Sequence, residues 1–349
     1  MKNVIGINGF GRIGRAFFRK TLETGDLTIA VINDINPDKG NIVYQLEYDS
    51  TYGPLNRKIT PNEHGMIIDG KQIYVYHEKD IDEVLWEKHG VERIIDASGI
   101  FDNMVKARNL KGRGIKQCIV TRTTDKPHIL DKDIIIGINE HTIDLDKDFV
   151  ISSSICDAIS AAPVIDLLHK NYGVEHGDLV TLHPWLANQR LLDGPSVSWS
   201  RPGHIDAEYV QGRAAPDSIL PKPTSAINAV SKVLPHIQDK FTSYSFRVPT
   251  PIVSTAYLSV KLSKKASKED IVQLFTEAEK NQKHNIFANN FKPLVSIDFK
   301  KNESSAIIDH RATSVNPHNN LRMNFWYDNE WGYSCRVFDL TKYLFSRDQ

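Results

Sequence analysis

At 349 residues the chain is long for one core, since single hydrophobic cores stop growing near ~250–300 residues, so two domains are expected. Lys and Arg number 43, as do Asp and Glu, so no net field draws nucleic acid or an anionic membrane surface. Small molecules and copies of the chain itself are the expected partners.

The first third alternates short apolar runs with helical patterns. "NVIGI" (3–7), "LTIAVIND" (27–34), "RIIDASG" (93–99), "QCIVTR" (117–122) and "DIIIGIN" (133–139) read as strands apolar on both faces. Strands of that kind, separated by helices, form a parallel sheet covered on both sides: an α/β, Rossmann-type doubly wound arrangement. "GMIIDGKQIYVYHE" (65–78) reads instead as a hairpin turning at Asp69-Gly70.

After about residue 153 the texture changes. A helix is expected over 158–173, ending at a glycine, then a strand over 178–185 and a long polar segment, 187–216, without periodicity. Long ordered loops are usually functional. Strands are expected at 244–249, 254–262 and 295–299, with an amphipathic helix at 268–281 and a last helix at 337–346. This mixture describes an α+β second domain with a mixed or antiparallel sheet. Cys118, Cys156 and Cys335 are far apart and form no CxxC pair, which argues against a disulfide framework or a thiolate zinc site, and no metal is expected. No run of about 18 apolar residues and no signal-peptide pattern is present, so a cytoplasmic protein is expected.

Directly after the first strand, Gly9, Phe10, Gly11, Arg12, Ile13 and Gly14 spell GxGxxG and open a helix. The first glycine serves the tight turn, the second the approach of a pyrophosphate, and the third close packing of helix on strand. Asp34 ends the next β-run, 20 residues past the third glycine, where an acid binds the adenosine ribose; a carboxylate there favours NAD over NADP. Ser98 and Gly99 fall at a strand end, on the sheet edge where this fold places its ligand, though an ordinary turn explains them equally.

Cys156 precedes a helical segment whose N-terminus favours a thiolate, and His183 lies on a strand. Each alone reads as a packed core residue. Together with a NAD site they describe aldehyde oxidation through a thiohemiacetal and a thioester.

"INGFGRIGR" (7–15), "YDSTYG" (48–53), "FRVPT" (246–250) and "WYDNEWGYS" (326–334), in that order, resemble the glyceraldehyde-3-phosphate dehydrogenase family. The resemblance runs nearly end to end. It implies Cys156 as nucleophile, His183 as base and Asn329 as the residue that fixes the nicotinamide carboxamide. It also implies a NAD-binding domain at 1–153 completed by a helix at 334–349, a catalytic domain at 154–333, a loop at 187–216 lying between subunits, and a homotetramer.

The departures fall where that family binds phosphate. Its Ser-Cys-Thr-Thr-Asn frame reads Ile155, Cys156, Asp157, Ala158, Ile159. Thr224-Ser225 stand where Thr-Gly is usual, and Leu186, next to Trp185, replaces a substrate-binding threonine, while Arg247 and Arg213 remain as cationic partners. Asp157 is either an ordinary first-turn helix residue or a group that turns the thioester toward water, giving a free acid as in the erythrose-4-phosphate branch. A NAD-binding paralogue without catalysis is the remaining alternative.

Overall fold

The computed structural model describes residues 3–196 and 209–348; the stretch 197–208 of the expected long loop lies outside the described residues. By its contacts the chain divides into two compact units. One comprises Met1–Ile134, His141–Ser154 and Ser334–Gln349, the other Ile135–Glu140 and Ile155–Tyr333.

The first unit runs β1 (Val4–Asn8), α1 (Arg12–Thr24), β2 (Thr28–Asn33), α2 (Lys39–Glu47), β3 (Ile59–Asn62), β4 (Gly65–Ile68), β5 (Lys71–Tyr76), β6 (Arg93–Asp96), α3 (Phe101–Lys106), β7 (Gln117–Val120), β8 (Lys132–Asp133) and β9 (Val150–Ser152). Its nine strands are ordered β3-β4-β5-β2-β1-β6-β7-β9-β8. From β5 to β8 all neighbours are parallel, and only the β3–β4–β5 hairpins are antiparallel. The central strands β1, β6 and β7 are buried along their whole length, which is why they show no polar alternation. Strand order reverses at β1, whose neighbours are β2 on one side and β6 on the other. The carboxyl ends of these three strands carry a buried polar row. Asn33 Nδ2 donates to Asn8 Oδ1 (2.7 Å) and Asn8 Nδ2 to Asp96 Oδ1 (2.9 Å), so each polar end satisfies its neighbour.

The expected hairpin forms, with β4 antiparallel to β5 and Asp69 and Gly70 both at positive φ. The expected strand over 133–139 does not form beyond its first residue. Ile134, Ile135 and Ile136 are buried, but Ile138 and Asn139 donate their N–H back to the Ile135 carbonyl, closing a turn. Burial therefore came without a ladder. The place beside β7 goes to β9, whose three residues are too few to carry a strand signal in the sequence.

The second unit contains α4 (Cys156–Tyr172), β10 (Val174–His183), β11 (Leu220–Lys222), α5 (Ala226–Val233), β12 (Phe241–Arg247), β13 (Ser254–Leu262), α6 (Lys268–Asn281), β14 (Phe287–Asn290), β15 (Ala306–Val315) and β16 (Asn320–Tyr327). Its sheet is ordered β11-β12-β10-β13-β16-β15-β14, with β10–β12 and β14–β15 parallel and the other pairs antiparallel. Helix α6 begins at a capping box in which Ser267 and Asp270 satisfy each other's backbone N–H.

The expected strand at 295–299 is instead a short 3-10 turn, Ser296–Phe299. The Asp298 carboxylate accepts the Val295 N–H at 2.9 Å, and of the three alternating apolar residues only Phe299 is buried. Local capping by a carboxylate outweighs an alternation that has no face to bury.

The last helix, α7 (Trp331–Ser346), begins six residues before the expected start at 337, and from Ser334 onward it belongs to the first unit. There Phe338 packs on Phe17 with ring centroids 6.3 Å apart. The fully buried Arg93 guanidinium forks onto Asp348, with both N–O distances 2.8 Å.

Candidate active site

The glycine-rich turn follows β1. Gly9 has φ +87° and lies so close to the next strand end that a Cβ there would meet Ser98 Cα at 2.4 Å. At Gly14 a Cβ would meet the Gly9 carbonyl oxygen at 2.2 Å, so the third glycine is required by helix–turn packing. Gly11 differs: no described atom lies within 4 Å of an added Cβ, and as the N-cap of α1 it brings no side chain to the first-turn N–H groups. An open backbone at a helix N-terminus is the cradle a pyrophosphate needs.

Asp34 stands at the end of β2 and accepts the Phe10 N–H at 2.6 Å and the Asn36 N–H at 2.9 Å, which ties it to the glycine turn. Arg12 pairs with Asp49, whose carboxylate also accepts the Thr51 and Tyr52 N–H groups, and Ile13 is half-buried. Ser98 donates its hydroxyl to Asp96 at 2.7 Å, and the Gly99 carbonyl accepts from Arg122 at 2.8 Å. Burial raises the Asp96 carboxyl above its usual range against the opposing hydrogen bonds from Ser98 and Asn8.

In the second unit four neighbouring strands bring their ends to one side of the sheet. Arg247 closes β12 and is the register partner of His183, which closes β10; Ser254 opens β13 opposite Tyr327, which closes β16. Cys156 is the first residue of α4. The turns that deliver these residues are strained, with Ser154 at φ 60° and the β-branched Val253 at φ 73°.

Asp157 is the hub of this cluster. It is 6 % exposed, and its Oδ1 lies 2.8 Å from His183 Nε2, 3.0 Å from the Tyr327 hydroxyl and 3.3 Å from Cys156 Sγ, all three acting as donors. Oδ2 has the weaker partner, Thr224 Oγ1 at 3.4 Å. His183 Nδ1 meets Ser254 Oγ at 2.9 Å. The sulfur, carboxylate and imidazole donor atoms all lie within 4.8 Å of one another, and the carboxylate stands between the other two.

Burial alone would raise the Asp157 pKa, but the charge and hydrogen bond of His183, with those of Cys156 and Tyr327, bring it down to about 2. The Cys156 thiol moves the other way. Burial pushes its pKa well above the usual value and the Asp157 charge adds to this, with Arg247 opposing. Tyr327 is likewise held as the phenol by burial and by Asp157.

Two family models match the chain: the glyceraldehyde 3-phosphate dehydrogenase NAD binding domain over residues 3–104, and the C-terminal domain of the same enzyme over 155–329. The chain is 37 % identical over 344 residues to glyceraldehyde-3-phosphate dehydrogenase B of Aspergillus oryzae, covering 98 % of each protein. Over 347 residues it is 32 % identical to glyceraldehyde-3-phosphate dehydrogenase 2 of Bacillus subtilis, covering 99 % of this chain and 98 % of the other. The chain belongs to the glyceraldehyde-3-phosphate dehydrogenase family. It is an NAD-dependent oxidoreductase acting on a small molecule, and the fit of the glycine turn agrees with NAD as its cofactor.

The family resemblance singled out residues that the structure places unevenly. Thr224 and Arg247 join the Cys156 cluster: Thr224 through Asp157, Arg247 through its charge. Arg247 donates to the Pro184 carbonyl at 3.0 Å, while its buried Nε finds no hydrogen-bond partner among the described residues. Ser225 is exposed at the start of α5. Arg213 is 67 % exposed and pairs with Asp193 at 3.0 Å, away from the hub's hydrogen bonds. Leu186 and Arg247 line one small recess with Gln189 and Lys222, and Trp185 is half-buried. Asn329 Oδ1 is buried without a partner among the described residues, an acceptor suited to an amide N–H. Within the 326–334 motif Tyr327 carried no assigned role, and Ser254 gave no signal beyond opening a strand.

Among the described residues no helix is long and apolar enough to cross a membrane.

Proposed function

We propose that Cys156 is the nucleophile of an NAD-dependent aldehyde oxidation in which His183 and Asp157 act as one proton-transferring pair. The observation that carries this reading is the Cys156–Asp157–His183 chain of hydrogen bonds at the N-terminus of α4. The resting thiol is protonated, so attack on the aldehyde carbon moves its proton toward the carboxylate as the C–S bond forms. The Cys156 backbone N–H at the helix start stabilises the oxyanion. The pair returns the thiol proton to the oxyanion to complete the thiohemiacetal and takes it back as the acyl-thioester forms; NAD, when bound, would supply the hydride acceptor.

Gly9, Phe10, Gly11, Arg12, Ile13 and Gly14 hold the pyrophosphate in this reading, Asp34 the ribose, and Ser98 and Gly99 the adjoining wall. Asn329 is assigned to the nicotinamide carboxamide. Arg247, whose Nε–H has no partner among the described residues, is the first choice for an anionic group on the aldehyde, and Thr224 and Ser225 are assigned to the same anion. Arg213 joins them only when its pair with Asp193 opens. The substrate class is a small phosphorylated aldehyde, as the relatives' names indicate. A homotetramer in the cytoplasm completes the reading, and light scattering behind a sizing column checks the assembly.

The deciding experiment mixes enzyme, NAD and glyceraldehyde 3-phosphate and follows NADH. A rapid burst of one equivalent per chain is expected. In Cys156→Ser the burst vanishes, and a burst that survives removes Cys156 from this role.

A further inference from the structure

We propose that water, activated by the Asp157–His183 pair, releases the acyl group from Cys156, so that the product is a free carboxylic acid. The inference rests on the reading of Cys156 as nucleophile. Its starting point is the uneven load on the Asp157 carboxylate. Oδ1 serves three donors, whereas among the described residues Oδ2 has only Thr224 Oγ1 at 3.4 Å and keeps acceptor capacity for another hydrogen bond.

Acylation removes the Cys156 S–H and with it one donor to Oδ1. An acyl carbon carried by a sulfur 3.3 Å from the carboxylate lies within one water of it, the reach a general base requires. Asp157 and His183 are 6 % and 4 % exposed, so the site admits few waters and screens charge poorly. An anionic nucleophile entering beside an ionised, buried carboxylate meets like charge; water does not. Ser254 and Tyr327 hold the two members of the pair in place from strands β13 and β16.

In the step itself the water oxygen bonds to the acyl carbon and the C–S bond breaks. One water proton passes through the pair to the departing sulfur and restores the thiol. The acid then ionises and releases the second proton, and nothing is oxidised or reduced.

The test supplies NAD and glyceraldehyde 3-phosphate in phosphate-free buffer made with ¹⁸O-water. The expected result is continued NADH formation after the burst, a rate that added phosphate leaves unchanged, and ¹⁸O-labelled free acid with no acyl phosphate even when phosphate is present. Asp157→Asn keeps the shape and removes the base. Turnover there should fall by about 10²- to 10⁴-fold, with the acyl-enzyme visible in the intact protein mass. A wild-type enzyme that stalls after one equivalent of NADH and resumes when phosphate is added overturns water as the acceptor, yet leaves Cys156 standing. No NADH at all from enzyme that binds NAD overturns the Cys156 reading and this one with it. Should Asp157→Asn fail to fold, the phosphate dependence of wild-type turnover and the absence of an acyl phosphate decide alone.

Discussion

At Cys156 two local fields oppose each other, and their sizes differ. A helix N-terminus favours the thiolate by about 0.3–2 kcal/mol. A carboxylate 3.3 Å from the sulfur disfavours it by about 5 kcal/mol at an effective dielectric near 20. The carboxylate wins, so Asp157→Asn should lower the thiol pKa and speed alkylation at pH 7, about tenfold for each pKa unit recovered. Iodoacetamide kinetics across pH read this directly, and a slower variant refutes it. Asp157 also makes a stability prediction. Its folded pKa of about 2 lies below the ordinary 3.8, so its contribution is complete above pH 4 and is lost as pH falls toward 2. The unfolding free-energy gap between wild type and Asp157→Asn, from denaturant titrations, should narrow by about 2 kcal/mol between pH 5 and pH 2. Cys156 and His183 were legible as candidates only because a NAD motif and the family's sequence motifs stand in the same chain; each alone reads as a packed core residue. The interposed carboxylate was visible only as a neighbour in the chain. Its link to His183 depends on how a helix start meets a strand end, and Ser254 and Tyr327 reach the hub from residues 71 and 170 positions away in the chain.

Among the elements, the turn between β1 and α1 separates its three glycines by function. Gly14→Ala pushes a methyl into the Gly9 carbonyl and should cost about 1–3 kcal/mol in stability. Gly11→Ser has open space and supplies a better helix cap, so thermal unfolding should hold or rise. NAD affinity, measured by calorimetry, should nevertheless fall at least about tenfold, because the hydroxyl takes the N–H groups a pyrophosphate needs. A Gly11→Ser protein that binds NAD normally would remove that glycine from the site. The long, regularly patterned elements, α6 and β13 above all, were legible because their periodicity reports a face that is in fact buried. The two misread strands share one cause. At 134–136 and 295–299 apolar residues coincide with turn-forming partners, Asn139 and Asp298, whose side chains capture the backbone N–H groups a strand would have paired.

Across the whole molecule one long-range tie of the first unit is the buried Arg93, which donates to Gln117 and Asp348 and lies under the Phe345 ring. Asp348→Ala leaves that guanidinium without its carboxylate and should cost on the order of 3 kcal/mol, seen as a lower melting temperature with Cys156 chemistry unaffected. Equal melting temperatures would refute a stabilising role for the Arg93–Asp348 fork. The sequence pointed to a final helix needing a partner, and its apolar stripe was the signal; the Arg93 fork was not legible, since its two ends are 255 residues apart. The return of α7 also fixes an order of events during synthesis. A ribosome makes all of Ile155–Tyr333 before the residues that complete the first unit emerge. At about 5–20 residues per second, that leaves the nucleotide-binding sheet without its closing helix for on the order of ten seconds or more. Phe17 and Arg93 lack α7 throughout that interval, so the newborn chain, rather than the finished enzyme, is the form most in need of protection by a chaperone.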